Sequence, residues 1–122
     1  MKKTNQVLGA WAMEKISIDG IFCKQILNNL KTMTIQTSKP SYTVGSILQL
    51  AFDNEPIRNH YIYVKSIRKT TIYNLTNTDI NKLGFLYDKH LHRYLNNKKP
   101  RLDYEDNIYK VEFICFTEEE AE

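Results

Sequence analysis

Asn28-Asn29-Leu30-Lys31-Thr32-Met33-Thr34-Ile35-Gln36 reads as the end of a helix running directly into a strand. Strand side chains alternate, so Met33 and Ile35 take one face while Thr32, Thr34 and Gln36 take the other. An apolar row backed by a hydroxyl and amide row is how a strand lines a polar pocket. Lys31 stands at the junction, where its long side chain can reach across the mouth. The ligand-binding set expected from this stretch is Lys31, Thr34 and Gln36.

Working upstream, Ile16 and Ile18 alternate with Lys15 and Ser17 as a short strand. Asp19 fits the N-cap of a helix from Gly20, because its carboxylate can accept from free backbone amides. Phe22, Cys23, Ile26, Leu27 and Leu30 recur at helical spacing and predict one apolar face. Asn28-Asn29 suit the left-handed turn that ends such a helix. Residues 1–13 carry little pattern and are expected to form a lead-in anchored by Trp11.

Downstream, Ile47 to Phe52 predicts a strand, and Asp53 to Pro56 a loop. Tyr61 to Ile67 alternates as a strand that Arg68-Lys69 interrupts, with Thr70 to Tyr73 as its continuation. Thr76 and Asp79 have capping-box spacing, and Gly84 supplies a stop. A second helix is expected over Phe85 to Asn97, and an apolar, central strand over Ile108 to Phe116. These elements predict an α+β fold, a small curled sheet or mixed β-barrel of about five or six strands with two or three helices over its openings.

Composition bounds the function. The 122 residues, 42% hydrophobic and 25% charged, predict a single domain over 1–122, with its core in 16–116 and an acidic tail at 117–122. No apolar run reaches spanning length and no apolar segment follows Met1-Lys2-Lys3, which predicts a cytoplasmic protein without a membrane partner. Ten lysines and arginines between Arg58 and Arg101 face two acids, Asp79 and Asp88, which suits a polyanion. Arg58, Tyr61, Tyr63, Lys65, Arg68 and Lys69 interleave bases with aromatics, a combination suited to neutralising and stacking single-stranded RNA. Cys23 and Cys115 lie far apart in apolar settings and are read as buried reduced thiols. His90 and His92, two apart on a helix, point about 200° from each other and cannot share a metal. No metal and no cofactor is expected.

Phe22-Cys23-Lys24-Gln25-Ile26-Leu27-Asn28-Asn29-Leu30-Lys31-Thr32-Met33-Thr34-Ile35-Gln36, followed by Val44-Gly45-Ser46-Ile47-Leu48-Gln49-Leu50, resembles the start of the ASCH domain. That family belongs to the PUA-like superfamily of small RNA-associated β-barrels. Its pattern is a helix, Gly-x-Lys-x-x-Thr/Glu-x-Arg on a strand, a loop, and Gly-Asp before the next strand. The final strand, Val111-Glu112-Phe113-Ile114-Cys115-Phe116, is similar too, most of all to that of the short bacterial N4-acetylcytidine amidohydrolases. The resemblance implies Lys31 and Thr34 as the family lysine and threonine, catalytic if the chain is an enzyme. It also exposes departures. Asn29 stands for Gly, Gln36 for Arg and Ser46 for Asp, and the catalytic glutamate falls at or beside Leu83. The expectation is a module binding RNA or a modified nucleoside around Lys31 and Thr34. The alternatives are an N4-acetylcytidine-type amidohydrolase, or a phage-type protein-binding module whose pocket has decayed.

Overall fold

Ile16 and Ile18 point into the core from β1 (Lys15–Ile18) while Lys15 and Ser17 stay exposed, the alternation their spacing predicts. The computed structural model describes residues 14–121, so the lead-in through Trp11 lies outside the described residues. Asp19 caps the next turn, its Oδ1 accepting from the Ile21 amide. One 3₁₀ turn, Gly20–Phe22, leads into α1 (Cys23–Leu27). The predicted apolar face holds at Phe22, Cys23 and Ile26 but stops there. The helix ends at Leu27, so Leu27 is exposed and Leu30, past the turn at Asn29 (φ 59°), is 68% exposed.

β2 (Met33–Gln36), β3 (Ile47–Phe52), β4 (Glu55–Thr70) and β5 (Ile108–Thr117) complete a five-stranded sheet of order β1-β3-β4-β5-β2. β1 runs parallel to β3 and the other pairs are antiparallel. β4 differs from expectation. Asp53-Asn54 alone forms the turn, both with positive φ as a two-residue hairpin requires, so Glu55 and Pro56 are already paired with β3. Arg68 and Lys69 do not break the strand, because both pair with β5 and turn their side chains to solvent. Register shifts at Gln49/Ala51 and Val64/Ser66 mark bulges, which bend a strand and increase its twist. β5 is interior, as its apolar length predicts.

After a 3₁₀ turn at Ile72–Asn74 come α2 (Asn77–Lys82) and α3 (Asp88–Lys98). The Thr76–Asp79 capping box is formed in both directions, and Asp79 also takes Lys110 Nζ at 2.8 Å. Gly84 ends α2 at φ 101°, with the Gln25 side chain against the place a Cβ would occupy. The expected second helix therefore starts at Asp88 rather than Phe85. A single turn, α4 (Glu118–Ala121), ends the described residues, which hold four short helices where two or three are expected.

Two apolar clusters use opposite faces of β5. Val111 and Phe113 join Ile18, Phe22, Ile26, Leu50 and Ile62 in one, whereas Ile108 joins Met33, Leu83, Leu91 and Leu95 in the other. Phe85 and Tyr94 pack against both. Cys23 and Cys115 are free and half-buried. Burial, then the charge of Glu120, pushes the Cys115 thiol up to about 11. No described helix is long and apolar enough to cross a membrane.

Candidate ligand-binding site

Lys31 is set in place by its neighbours along the backbone. The Gln25 carbonyl, in α1, accepts from the Leu30 and Lys31 amides at 2.7 and 3.1 Å. One residue on, Thr32 donates to Lys82 O and accepts from the Phe113 amide, both at 2.9 Å. The Lys31 side chain thereby turns inward and is only 3% exposed. Its Nζ donates to Leu83 O at 2.6 Å and stands 4.2 Å from the centroid of the Phe22 ring. Leu83 is the C-cap of α2, where carbonyls lack helical partners and a cation meets the negative end of the dipole. Burial lowers the Lys31 ammonium to about 7, with the nearby negative charge of Asp19 opposing that drop.

A cavity of about 70 Å³ opens beside this amine. Lys31 and Thr34 are both among its lining residues, with Asp19, Phe22, Leu83 and Tyr94. Ile18 of β1 and Ile35 of β2 line it too, although these strands are the two outer edges of the sheet. The sheet is therefore curled, and the cavity sits at the seam where its edges approach. Phe22, Phe85 and Tyr94 form a triangle of rings beside it, with centroids 5.3–5.7 Å apart.

Asp19 is the group that local pattern did not reveal as part of the site. Besides its capping oxygen, Oδ2 accepts from the Tyr94 hydroxyl at 2.8 Å and lies 3.4 Å from Lys98 Nζ. Burial alone would raise its carboxyl, but hydrogen bonds from Tyr94 and the Ile21 amide, with the charge of Lys98, hold it below the usual value. Burial and the same hydrogen bond push the Tyr94 hydroxyl up, so it stays protonated. The signal available in the sequence was the i, i+4 spacing of Tyr94 and Lys98 on one helix face. Leu83 does meet Lys31, but through its carbonyl. Among the nearest acids, Asp79 is engaged with Thr76 and Lys110.

The other expected residues are dispersed. Gln36 does not line the cavity and donates instead to the Tyr42 hydroxyl, since two strand residues carry it roughly 7 Å beyond Thr34. Tyr61 is 4% exposed, packed on Phe116 and roofed by α4 through Glu118, so its ring has no free face for a base. Tyr63 is 40% exposed, between Ile47 and Ile114 on the neighbouring strands. Lys65 sits at the bulge, 3.9 Å from Glu112. Arg58 and Arg68 are exposed but ten residues apart, roughly 33 Å along an extended strand. The register Gln36–Tyr109–Lys69 places Lys69 on the sheet face that carries Thr34, while Arg68 lies on the other. Among the described residues no group of three or more His, Cys, Asp or Glu side chains could hold a metal.

A curled five-stranded mixed sheet with short helices over its seam defines a small α+β half-barrel. Solved structures of this architecture align along most of the chain. An Enterococcus faecalis V583 protein of family DUF984 matches at 11% identity and TM-score 0.62, over 96% of this chain and 95% of its own. The ASCH domain from Lactobacillus crispatus JV V101 matches at 12% identity and TM-score 0.62, over 94% of each chain. A mutant form of ZmASCH from Zymomonas mobilis matches at 15% identity and TM-score 0.55, over 81% of this chain and 66% of its own. No family model and no curated protein matches the sequence. The fold is that of the ASCH domain.

Proposed function

We propose that this chain is an ASCH-fold module that binds RNA or a modified nucleoside, with Lys31 and Thr34 contacting the ligand. The observation that carries this reading is that both residues line one cavity at the sheet seam. The cavity offers an amine, a hydroxyl and a carboxylate against aromatic walls, which is a donor and acceptor set suited to the polar edge of a base. Its volume of about 70 Å³ is well below the roughly 300 Å³ of a pocket enclosing a whole small ligand. A base edge or a small substituent fits, and the rest of the ligand stays outside. On single-stranded RNA immobilised at low salt, the protein is expected to be retained and then released as salt rises, because phosphate contacts displace counterions. Passage through the column unretained at the lowest salt would reject RNA as the ligand.

A second reading, hydrolysis of an N4-acylated cytidine, is supported by the Lys31 amine near neutrality in a cavity that Thr34 also lines. In that reaction the hydroxyl adds to the acyl carbon and its proton passes through the amine to the departing N4. Water then releases the acid from threonine. Free cytidine appearing from N4-acetylcytidine, and ceasing with Thr34→Val, is the outcome it requires. Binding is favoured because, among the described residues, no carboxylate lies within 4.0 Å of Lys31 Nζ to move a proton with it.

A further inference from the structure

The seam cavity adjoins a second, wider depression of about 400 Å³, and Lys99 lines both. Thr37, Pro100, Arg101 and Asp106 also line the second hollow. Thr37 follows directly on β2, so the distance from Thr34 to this hollow is about 10 Å of extended chain. The turn from Lys99 to Leu102 is closed by the Leu102 amide donating to Lys99 O at 3.0 Å. Pro100 fixes its own φ within that turn, and Leu102 packs against the second apolar cluster. The exposed side chains of Lys99 and Arg101 are thus held on a short, anchored turn.

Their charges are also available. Lys98 faces Asp19, Lys110 faces Asp79, and Lys65 and Lys82 share Glu112. Among the described residues no carboxylate lies within 4.0 Å of the Lys99 or Arg101 charged groups. Asp106, in the same hollow, accepts from the Asp103 amide at 3.1 Å. A shallow depression with two unpaired cations and a threonine hydroxyl suits a phosphodiester, and it begins where the base-edge cavity ends.

Resting on the RNA reading above, we infer that the phosphate backbone crosses the Lys99–Arg101 turn while a base edge enters the seam cavity. The ligand class is then a phosphate-bearing nucleotide or strand rather than a free nucleoside, and the phosphate contacts come from the α3–β5 turn rather than from β4.

The test measures binding of the full chain to a mixed-sequence single-stranded RNA octamer across a salt series. Lys99→Ala and Arg101→Ala are each expected to flatten the plot of log affinity against log salt by about 0.7, and to weaken low-salt binding roughly tenfold. Lys24→Ala, on the solvent side of α1, is expected to keep the wild-type slope. Wild-type slopes in both turn variants, or equal flattening in Lys24→Ala, would overturn the inference and leave the RNA reading standing. A wild-type chain that does not bind the octamer at any salt would overturn both. Thermal melts of the variants establish that each is folded, as expected for exposed side chains.

Discussion

Lys31→Met is expected to stabilise the protein at pH 7 by about 2–4 kcal/mol, although it removes a hydrogen bond and a cation–π contact. The ammonium titrates near 7 in the folded chain against an ordinary value of 10.5. Between those values the unfolded chain holds a proton that the folded chain lacks, so stability climbs with pH across that window. Below it the full penalty applies, roughly 5 kcal/mol at about 1.36 kcal/mol per unit. Methionine removes that penalty but leaves the Leu83 carbonyl without its donor, which returns about 1–3 kcal/mol. The advantage of the variant should therefore shrink steadily from pH 7 toward 10.5. Urea titrations of both proteins at several pH values across this window measure it. A difference that stays flat with pH would show that the lysine is not held in a desolvated site.

Phe22→Ala should have the opposite sign and a cost of about 3–5 kcal/mol, the range for removing a buried aromatic ring. The ring is buried, meets Phe85 and Tyr94 edge-on, and supports the Lys31 ammonium on its face. Phe85 and Tyr94 each touch both apolar clusters, so the void would open at the joint between them. Phe22→Leu keeps much of the volume and should cost markedly less. Chemical denaturation of the pair separates the cavity from the lost ring contacts. A loss below about 1 kcal/mol for alanine would mean that the site collapses freely and that the joint is not tightly packed.

What could be read from residues alone was mostly local. The Asp19 cap, the left-handed Asn29, the Thr76–Asp79 box and the Gly84 stop each depend on a few neighbouring atoms, and each is present. Strand period placed Thr34 on the polar row, and the helix–strand junction placed Lys31 within reach of it; both line the one cavity. The failures that bear on the site share a different cause, since a partner remote in sequence decided them. Tyr61 has strand spacing fit for an exposed ring, but α4, 57 residues on, roofs it. Arg68 and Lys69 look like a break because nothing local shows that Lys110 and Tyr109 will pair with them. Asp19 reads as a cap until α3 brings Tyr94 and Lys98 against its second oxygen. Leu83 was discounted because its side chain has no acid–base chemistry, whereas its peptide oxygen makes the contact.

The seam between β1 and β2 has one further consequence. A sheet left open between its two outer strands keeps a slit, and what stands in that slit limits how far its borders can approach. Here Phe22, from the helical turn that follows β1, is among the residues that line the opening. Tightening that gap until the two borders zipped together would close a cylinder and erase the opening beside Lys31 through which a guest could enter.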